Sequence, residues 1–337
     1  MSNLRISVCI PTFNQELFVE QSIRSALNQT VSPFEIIVSN DCSTDGTKET
    51  LDKLSEEISI LKVINQPQNL GISKNTNFCL RQATGDFIIR LDSDDLLSPD
   101  YIKLLSEELY KYPEAGYAHA AVNEIDKNNN FLKERKLIRK SGFVNGEVAL
   151  KASLSGYRVT ANIIMFRKKA LETVGYISSK INFAEDYYLS AQLAAAGYGN
   201  LYSEKVLASY RVWTDTGKVR QKRKLEEIDG IRSIFDEVIE PAFETRGWNL
   251  AVVKSAREKF AINQSNCLGW SIYTDQEKIP LITALLELSD TKKSRFFVWL
   301  YKNGYGVFPE SYYKLNSKIK GFGKNMLLNL TKKQAVQ

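Results

Sequence analysis

Phe34-Glu35-Ile36-Ile37-Val38-Ser39-Asn40-Asp41-Cys42-Ser43-Thr44-Asp45-Gly46 is a short apolar run that breaks off into an acidic, turn-forming loop. Phe34 to Ser39 reads as a strand, because β-branched residues follow one another and polar turn formers stop them. The neighbouring segments set the fold class. Upstream, Arg5 to Ile10 reads as a strand and Glu16 to Asn28 as a helix with Leu17, Ile23 and Leu27 on one side. Downstream come a helix from about Thr47 to Glu57, a strand at Leu61 to Asn65, a helix from about Ser73 to Gln82 and a strand at Phe87 to Leu91. Alternation of this kind predicts an α/β domain with a Rossmann-like, mostly parallel central sheet and right-handed crossovers.

Open sheets of this type bind ligands at the carboxyl ends of their strands. Those ends are Pro11-Thr12-Phe13-Asn14, the Asn40 to Gly46 loop, and Asp92-Ser93-Asp94-Asp95. Two of the three are acidic, so a phosphate held there needs a cation between. Asp92 and Asp94 stand two apart at a strand end and project to one side, which suits Mn²⁺ or Mg²⁺. The alternative is structural: Asp95 or Ser98 caps the next helix, with Pro99 at its first position. Asp41 has two readings as well, acceptor for a base N–H such as uracil N3, or part of a loop in which Ser43, Thr44 or Asp45 caps a helix. Asp186 opens a helix, where the helix dipole stabilises a carboxylate. It is equally a candidate general base.

A chain of 337 residues suits one large α/β domain and an appended region, expected here as residues 1–220 and a mainly helical 221–337. The middle third is less regular, with a polar turn at Asp126 to Asn130, a basic loop at Lys133 to Gly142, a strand at Asn162 to Phe166, and a helix Lys168 to Val174 stopped by Gly175. Composition is that of a folded protein, 43% apolar and 25% charged. The four cysteines match no zinc or redox spacing and read as free thiols. The single histidine, His119, sits in an apolar run and reads as a buried strand residue, which leaves a Ser-His-Asp triad or a multi-histidine metal site without support. No apolar stretch reaches bilayer length and Met1 to Arg5 runs straight into a strand, so the expectation is a cytoplasmic protein.

Taken in order, five blocks resemble the large family-two glycosyltransferases. They are Ser7 to Asn14, Glu35 to Asp45, Asn69-Leu70-Gly71 with Lys74-Asn75, Gly85 to Ile88 followed by Leu91 to Asp95, and Glu185-Asp186, together covering about residues 4 to 215. The resemblance implies the GT-A fold, an inverting mechanism, and roles by position. Pro11, Thr12, Phe13 and Asn14 line the nucleoside pocket, Asp41 binds the base, and Lys74 lies near base or phosphate. Asp92, Ser93 and Asp94 form the D-x-D site for metal and diphosphate, with Asp94 the direct ligand, and Asp186 of the Glu185-Asp186 pair is the catalytic base. Three departures stand out: Asn40 where Asp is common, Cys42 where Gly is common, and Tyr210-Arg211-Val212-Trp213 where a Tyr-Arg-x-His segment is expected. Arg211 or Trp213 then inherits the histidine's contact with diphosphate or metal.

The implied partners are a nucleotide-sugar donor, UDP first, and a saccharide or lipid-linked acceptor of surface-polysaccharide type. Charge is uneven: Thr291 to Gln337 carries a net +9, the preceding residues −3. Lysines mixed with Phe296, Phe297, Trp299, Tyr301, Tyr305, Phe308, Tyr312 and Tyr313 suit an anionic membrane surface, or simply a solvated helical face. A nucleotidyltransferase would need a Gly-rich basic loop where Pro11 to Asn14 stands. A nucleic-acid-binding module would not place acids at the strand ends.

Overall fold

The computed structural model describes residues 4–156, 159–178, 183–213 and 221–306. Its centre is a ten-stranded sheet: β1 (Ile6–Thr12), β2 (Glu35–Asn40), β3 (Leu61–Asn65), β4 (Phe87–Arg90), β5 (Leu96–Leu97), β6 (Ala115–Ile125), β7 (Phe131–Arg135), β8 (Gly142–Val144), β9 (Ile164–Arg167) and β10 (Gly199–Arg211). The order is β3-β2-β1-β4-β9-β6-β10-β5, with β7 added to β6 and β8 to β10. β3, β2, β1 and β4 are parallel, as expected; β9 then enters antiparallel to both β4 and β6, and β10 runs parallel to β6. Every residue of β1 and β2 is buried, the condition that lets a parallel strand read as an unbroken apolar run. β1 runs two residues past that run, through Pro11 and Thr12, because its register with Ser39 and Asn40 continues.

The crossover helices are α1 (Val19–Leu27), α2 (Thr47–Glu57) and α3 (Ile72–Gln82), followed by α4 (Tyr101–Lys111), α5 (Gly146–Ser153), α6 (Lys168–Val174) and α7 (Glu185–Ala195). α1 buries Val19, Ile23 and Ala26; Leu17, expected on that face, precedes the helix and is exposed. Asp100, whose side chain accepts from Thr30 Oγ at 2.8 Å and makes no capping bond, occupies the cap position of α4, so neither Asp95 nor Ser98 serves as its cap. α6 ends at Gly175 in the left-handed region, as its sequence requires. His119 is fully buried on β6, and the four cysteines are free.

The chain divides into two compact units, Met1–Ala256 and Arg257–Gln337. The first therefore extends beyond the expected boundary at 220, taking in α8 (Lys224–Ile234), a π turn (Phe235–Ile239) and α9 (Glu240–Thr245). Helix α10 (Leu250–Gln264) runs across the division. The second unit, described to residue 306, contains α11 (Asp275–Leu288) and α12 (Lys292–Lys302), which bury Leu281, Leu285, Leu288, Val298 and Tyr301. A reciprocal capping box between Thr274 and Glu277 starts α11. Among the described residues no helix is long and apolar enough to cross a membrane.

Candidate active site

The carboxyl ends of β1, β2 and β4 meet the start of α7, and hydrogen bonds link their loops into one rim. Asn14 accepts from the Thr44 N–H at 2.8 Å and its own N–H donates to Ser43 Oγ at 2.9 Å, which ties the first loop to the second. Asn40 accepts from Ser43 Oγ at 2.6 Å and donates to Asn65 at 2.8 Å. Cys42, at the position where Gly is common, has φ 59°. This left-handed region costs a residue with a side chain about 1–2 kcal/mol. Thr12 is buried with its hydroxyl unpartnered, and Phe13 is half exposed at the rim.

Asp41 is 2% exposed, and its two carboxylate oxygens accept from the N–H groups of Leu70 and Gly71 at 2.7 and 3.0 Å. The carboxylate thus holds the loop that leads into α3. Lys74, in the first turn of that helix, borders a cavity of about 270 Å³ with Leu70, Gly71, Ile72, Ser73, Arg223 and Glu226. Ser73 in turn donates to Glu185 at 3.3 Å, joining α3 to α7.

Arg90, the last residue of β4, is fully buried and reaches three carboxylates. It bonds Asp92 at 3.1 Å and Glu185 at 3.3 Å through Nη2, and Asp186 through Nη1. Two separate sequence motifs therefore converge on one guanidinium. Arg90 was not among the candidates drawn from the sequence, although a signal was there: a single cation inside the otherwise apolar Phe87 to Leu91, on a strand buried on both faces. Burial pushes the Asp186 carboxyl up, Arg90 pulls it down, and Glu185 and Asp92 push it up again, to about 8. Ala184, immediately before α7, has φ 61°, a further strained position at the mouth of this cluster.

Asp94 and Asp95 are both raised, first by burial and then by neighbouring carboxylates. Asp95 accepts the Arg211 N–H at 2.7 Å through Oδ1, while its buried Oδ2 has no hydrogen-bond partner. Ser93 is buried between Asp92 and Asp94. The oxygen-only donor set of Asp92 and Asp94 at the strand end, raised in charge density by Asp95 beside them, fits a hard divalent cation, which would be held by Asp92 and Asp94. No group of three or more His, Cys, Asp or Glu side chains arranged for a metal occurs among the described residues. The protein would then share such an ion with phosphate or water oxygens rather than enclose it.

The segment expected to replace the histidine splits into two functions. Trp213 donates its indole N–H to Asp94 Oδ2 at 2.7 Å and packs edge-on against Phe18 at 5.1 Å. Arg211 is 2% exposed and bonds the carbonyls of Asp94 and Asp126 and the side chain of Asn129 at 2.7–2.8 Å. Trp213 thus reaches the Asp94 carboxylate with its side chain, whereas Arg211 meets Asp95 through its backbone N–H and uses its guanidinium as a brace between the Asp94 and Asp126 carbonyls.

A doubly wound sheet with acids at its carboxyl rim, a buried arginine and a carboxylate at a helix start is the arrangement of an α/β domain of the nucleotide-binding class. The model of "Glycosyl transferase family 2" matches residues 7–175, and the chain belongs to that family. That membership sets aside the nucleotidyltransferase and nucleic-acid-binding readings. Over 205 residues it is 33% identical to the GalNAc(5)-diNAcBac-PP-undecaprenol beta-1,3-glucosyltransferase of Campylobacter jejuni, covering 60% of each chain. It is 27% identical over 192 residues to the chondroitin synthase of Escherichia coli, 57% of this chain and 27% of that one. The chain thus spans less than two thirds of the length of these relatives. Among solved structures it superposes on Staphylococcus aureus TarS 1-349 with a TM-score of 0.66 at 17% identity, covering 92% of both chains. A mannosyltransferase from Pyrobaculum calidifontis, in complex with GDP-Man and Mn²⁺, gives a TM-score of 0.54 at 18% identity over 90% of this chain and 86% of that one. These likenesses establish the GT-A fold.

Proposed function

We propose that the protein transfers a sugar, with inversion, from a nucleoside diphosphate donor, UDP first, to a hydroxyl of a saccharide or lipid-linked saccharide acceptor. The observation that carries this reading is the Arg90 junction, which sets Asp186 against Asp92 in one buried cluster. The TarS fold is known in complex with UDP-GlcNAc, and the Campylobacter relative is named for an undecaprenol-linked substrate. Both support the choice of donor and acceptor class.

In this reading the base lies over the loop of Asp41, with Pro11 to Asn14 as one wall and Lys74 beside the cavity. Asp92 and Asp94 hold a Mn²⁺ or Mg²⁺ ion, which when bound supplies positive charge to the leaving diphosphate. Trp213 orients the Asp94 carboxylate, and Arg90 keeps Asp92 and Asp186 at a fixed separation. Asp186 takes the proton from the acceptor hydroxyl as that oxygen attacks the anomeric carbon, and a single displacement inverts the configuration. The protein works as a peripheral protein on the inner face of the membrane. In support, α12 exposes Phe296 and Trp299 among lysines, and Trp299 stacks on Tyr305 at 5.6 Å. Phe308, Tyr312 and Tyr313 lie outside the described residues.

Purified protein incubated with a panel of nucleotide sugars, scored by release of nucleoside diphosphate, tests the reading. Asp186→Asn is expected to keep nucleotide binding and to lose about 10²–10⁴-fold in transfer. Asp94→Ala is expected to lose metal-dependent nucleotide binding as well. Wild-type turnover by Asp186→Asn would remove the base assignment.

A further inference from the structure

The hairpin that follows β6 sets exposed apolar side chains among bases. Residues 131–140, Phe-Leu-Lys-Glu-Arg-Lys-Leu-Ile-Arg-Lys, hold five bases and one acid. All five residues of β7 are exposed, and the large apolar side chains among them and nearby stand in solvent: Phe131 63%, Leu132 50% and Ile138 106% exposed. β7 pairs with β6 along one edge only, at Val122 to Ile125. Bases on an edge strand are an ordinary device against strand-to-strand aggregation. That device is undone by setting Phe131, Leu132 and Ile138 beside them, so another use is required. Only part of the charge is neutralised within the fold: Lys133 and Arg135 share Glu124 at 3.3 and 3.8 Å, and Lys136 meets Glu134, while the Arg139 guanidinium turns inward to Asn200 and the Tyr202 ring.

The root of the hairpin is fixed to the active site. Asp126 accepts from the N–H groups of Asn128 and Asn130 at 2.8 and 2.9 Å, which closes the turn. Arg211 then bonds that turn at Asp126 and Asn129 and the Asp94 carbonyl with the same guanidinium. The turn end of the hairpin, at Phe131 and Leu132, is thereby tied to the carboxylate cluster, while Leu137 and Arg139 continue along β10 to Tyr202 and Asn200.

We propose that the 131–140 hairpin docks the glycosyltransferase unit on an anionic lipid bilayer, its apolar side chains entering the interface and Lys133, Arg135, Lys136 and Lys140 meeting the headgroups. Apolar tips ringed by bases complement such a surface on both counts. A soluble polyanionic polymer would satisfy the bases and leave Ile138, Leu132 and Phe131 in water. The proposal rests on the reading of a lipid-linked acceptor, since the docked hairpin presents the site to a substrate anchored in the same leaflet.

Flotation of the full-length protein with phosphatidylcholine vesicles, with and without phosphatidylglycerol, at low and high salt tests it. Wild-type protein is expected to float only with the anionic vesicles, and less at high salt. Lys136→Gln with Lys140→Gln is expected to weaken binding by about five-fold per lysine. Leu132→Ser with Ile138→Ser is expected to weaken it by about ten-fold or more. A full-length variant with the six lysines of residues 314–333 changed to glutamine serves as the comparison. The proposal is overturned if the wild-type protein does not float, if both hairpin variants bind as it does, or if heparin competes while the two apolar substitutions have no effect. Nucleoside diphosphate release by the same variants separates the two readings. Hairpin-dependent flotation by a protein inactive on every nucleotide sugar would end the transferase mechanism and leave the docking surface standing, whereas turnover with hairpin-independent flotation would do the reverse.

Discussion

A buried arginine among three carboxylates is tolerated because each removes part of its desolvation cost, and the same contacts tune the acid it faces. Asp186, at about 8, lies far above an unfolded aspartate at about 3.9. Between these values the folded chain holds a proton that the unfolded chain has lost. Stability from this group is therefore greatest at low pH and falls as pH rises across that window. With Asp186 as the proposed base, activity runs the other way, since a base works as the carboxylate: kcat/KM of the free enzyme is expected to climb with pH and level off above about 8. Arg90→Met is expected to lower kcat by about 10²-fold and to move that rising limb to higher pH, with Arg90→Lys recovering part of both. A purely packing role for Arg90 would leave the pH profile where it was. Asp186 was legible in the sequence as a residue but not as an environment, because the partner that sets its proton affinity lies 96 residues away.

At the scale of elements, the opposite end of the sheet is stapled by a different acid. Glu35, at the start of β2, accepts from Ser7 Oγ of β1 at 2.7 Å, from the N–H and hydroxyl of Thr84 before β4 at 2.8 and 2.7 Å, and from Lys62 of β3 at 2.6 Å. Burial raises its pKa, but the bonds from Lys62, Thr84 and Ser7 outweigh that and bring it to about 2. Its contribution is thus present above about 4.5 and lost as pH falls toward about 2. Glu35→Ala is expected to cost about 2–3 kcal/mol in denaturant melts, by leaving buried donors unpaired. Its kcat is expected to stay near wild type, as the staple and the catalytic rim lie at opposite strand ends. A large loss of kcat at unchanged stability would contradict this division. α2 and β3 have the bounds their sequences indicate, since both are read from local periodicity. Antiparallel β9 carried an apolar run but no sign of its direction, because pairing between distant strands leaves no mark on local periodicity.

For the molecule as a whole, the proposed function makes the carboxylate rim a surface whose repulsion a cation and a diphosphate would relieve. UDP with Mn²⁺ is expected to raise the melting temperature more than the sum of either alone, with about 2.7 kcal/mol of stabilisation at a hundredfold excess over Kd. Addition of EDTA is expected to return the protein to its unliganded value; a shift by UDP that survives EDTA would count against a shared metal-diphosphate site. The sequence by itself determined the alternating α/β architecture, the strand ends where chemistry gathers and the family, because hydrophobic period and turn chemistry are local properties. It also carried Asp92, Asp94 and Asp186 as isolated candidates. Only the tertiary structure decided that Arg90 joins them, that the Trp213 side chain rather than the Arg211 guanidinium bonds a carboxylate of the cluster, and that the first unit reaches past residue 220. Those outcomes depend on which groups share a buried space, and burial is a property of the folded chain.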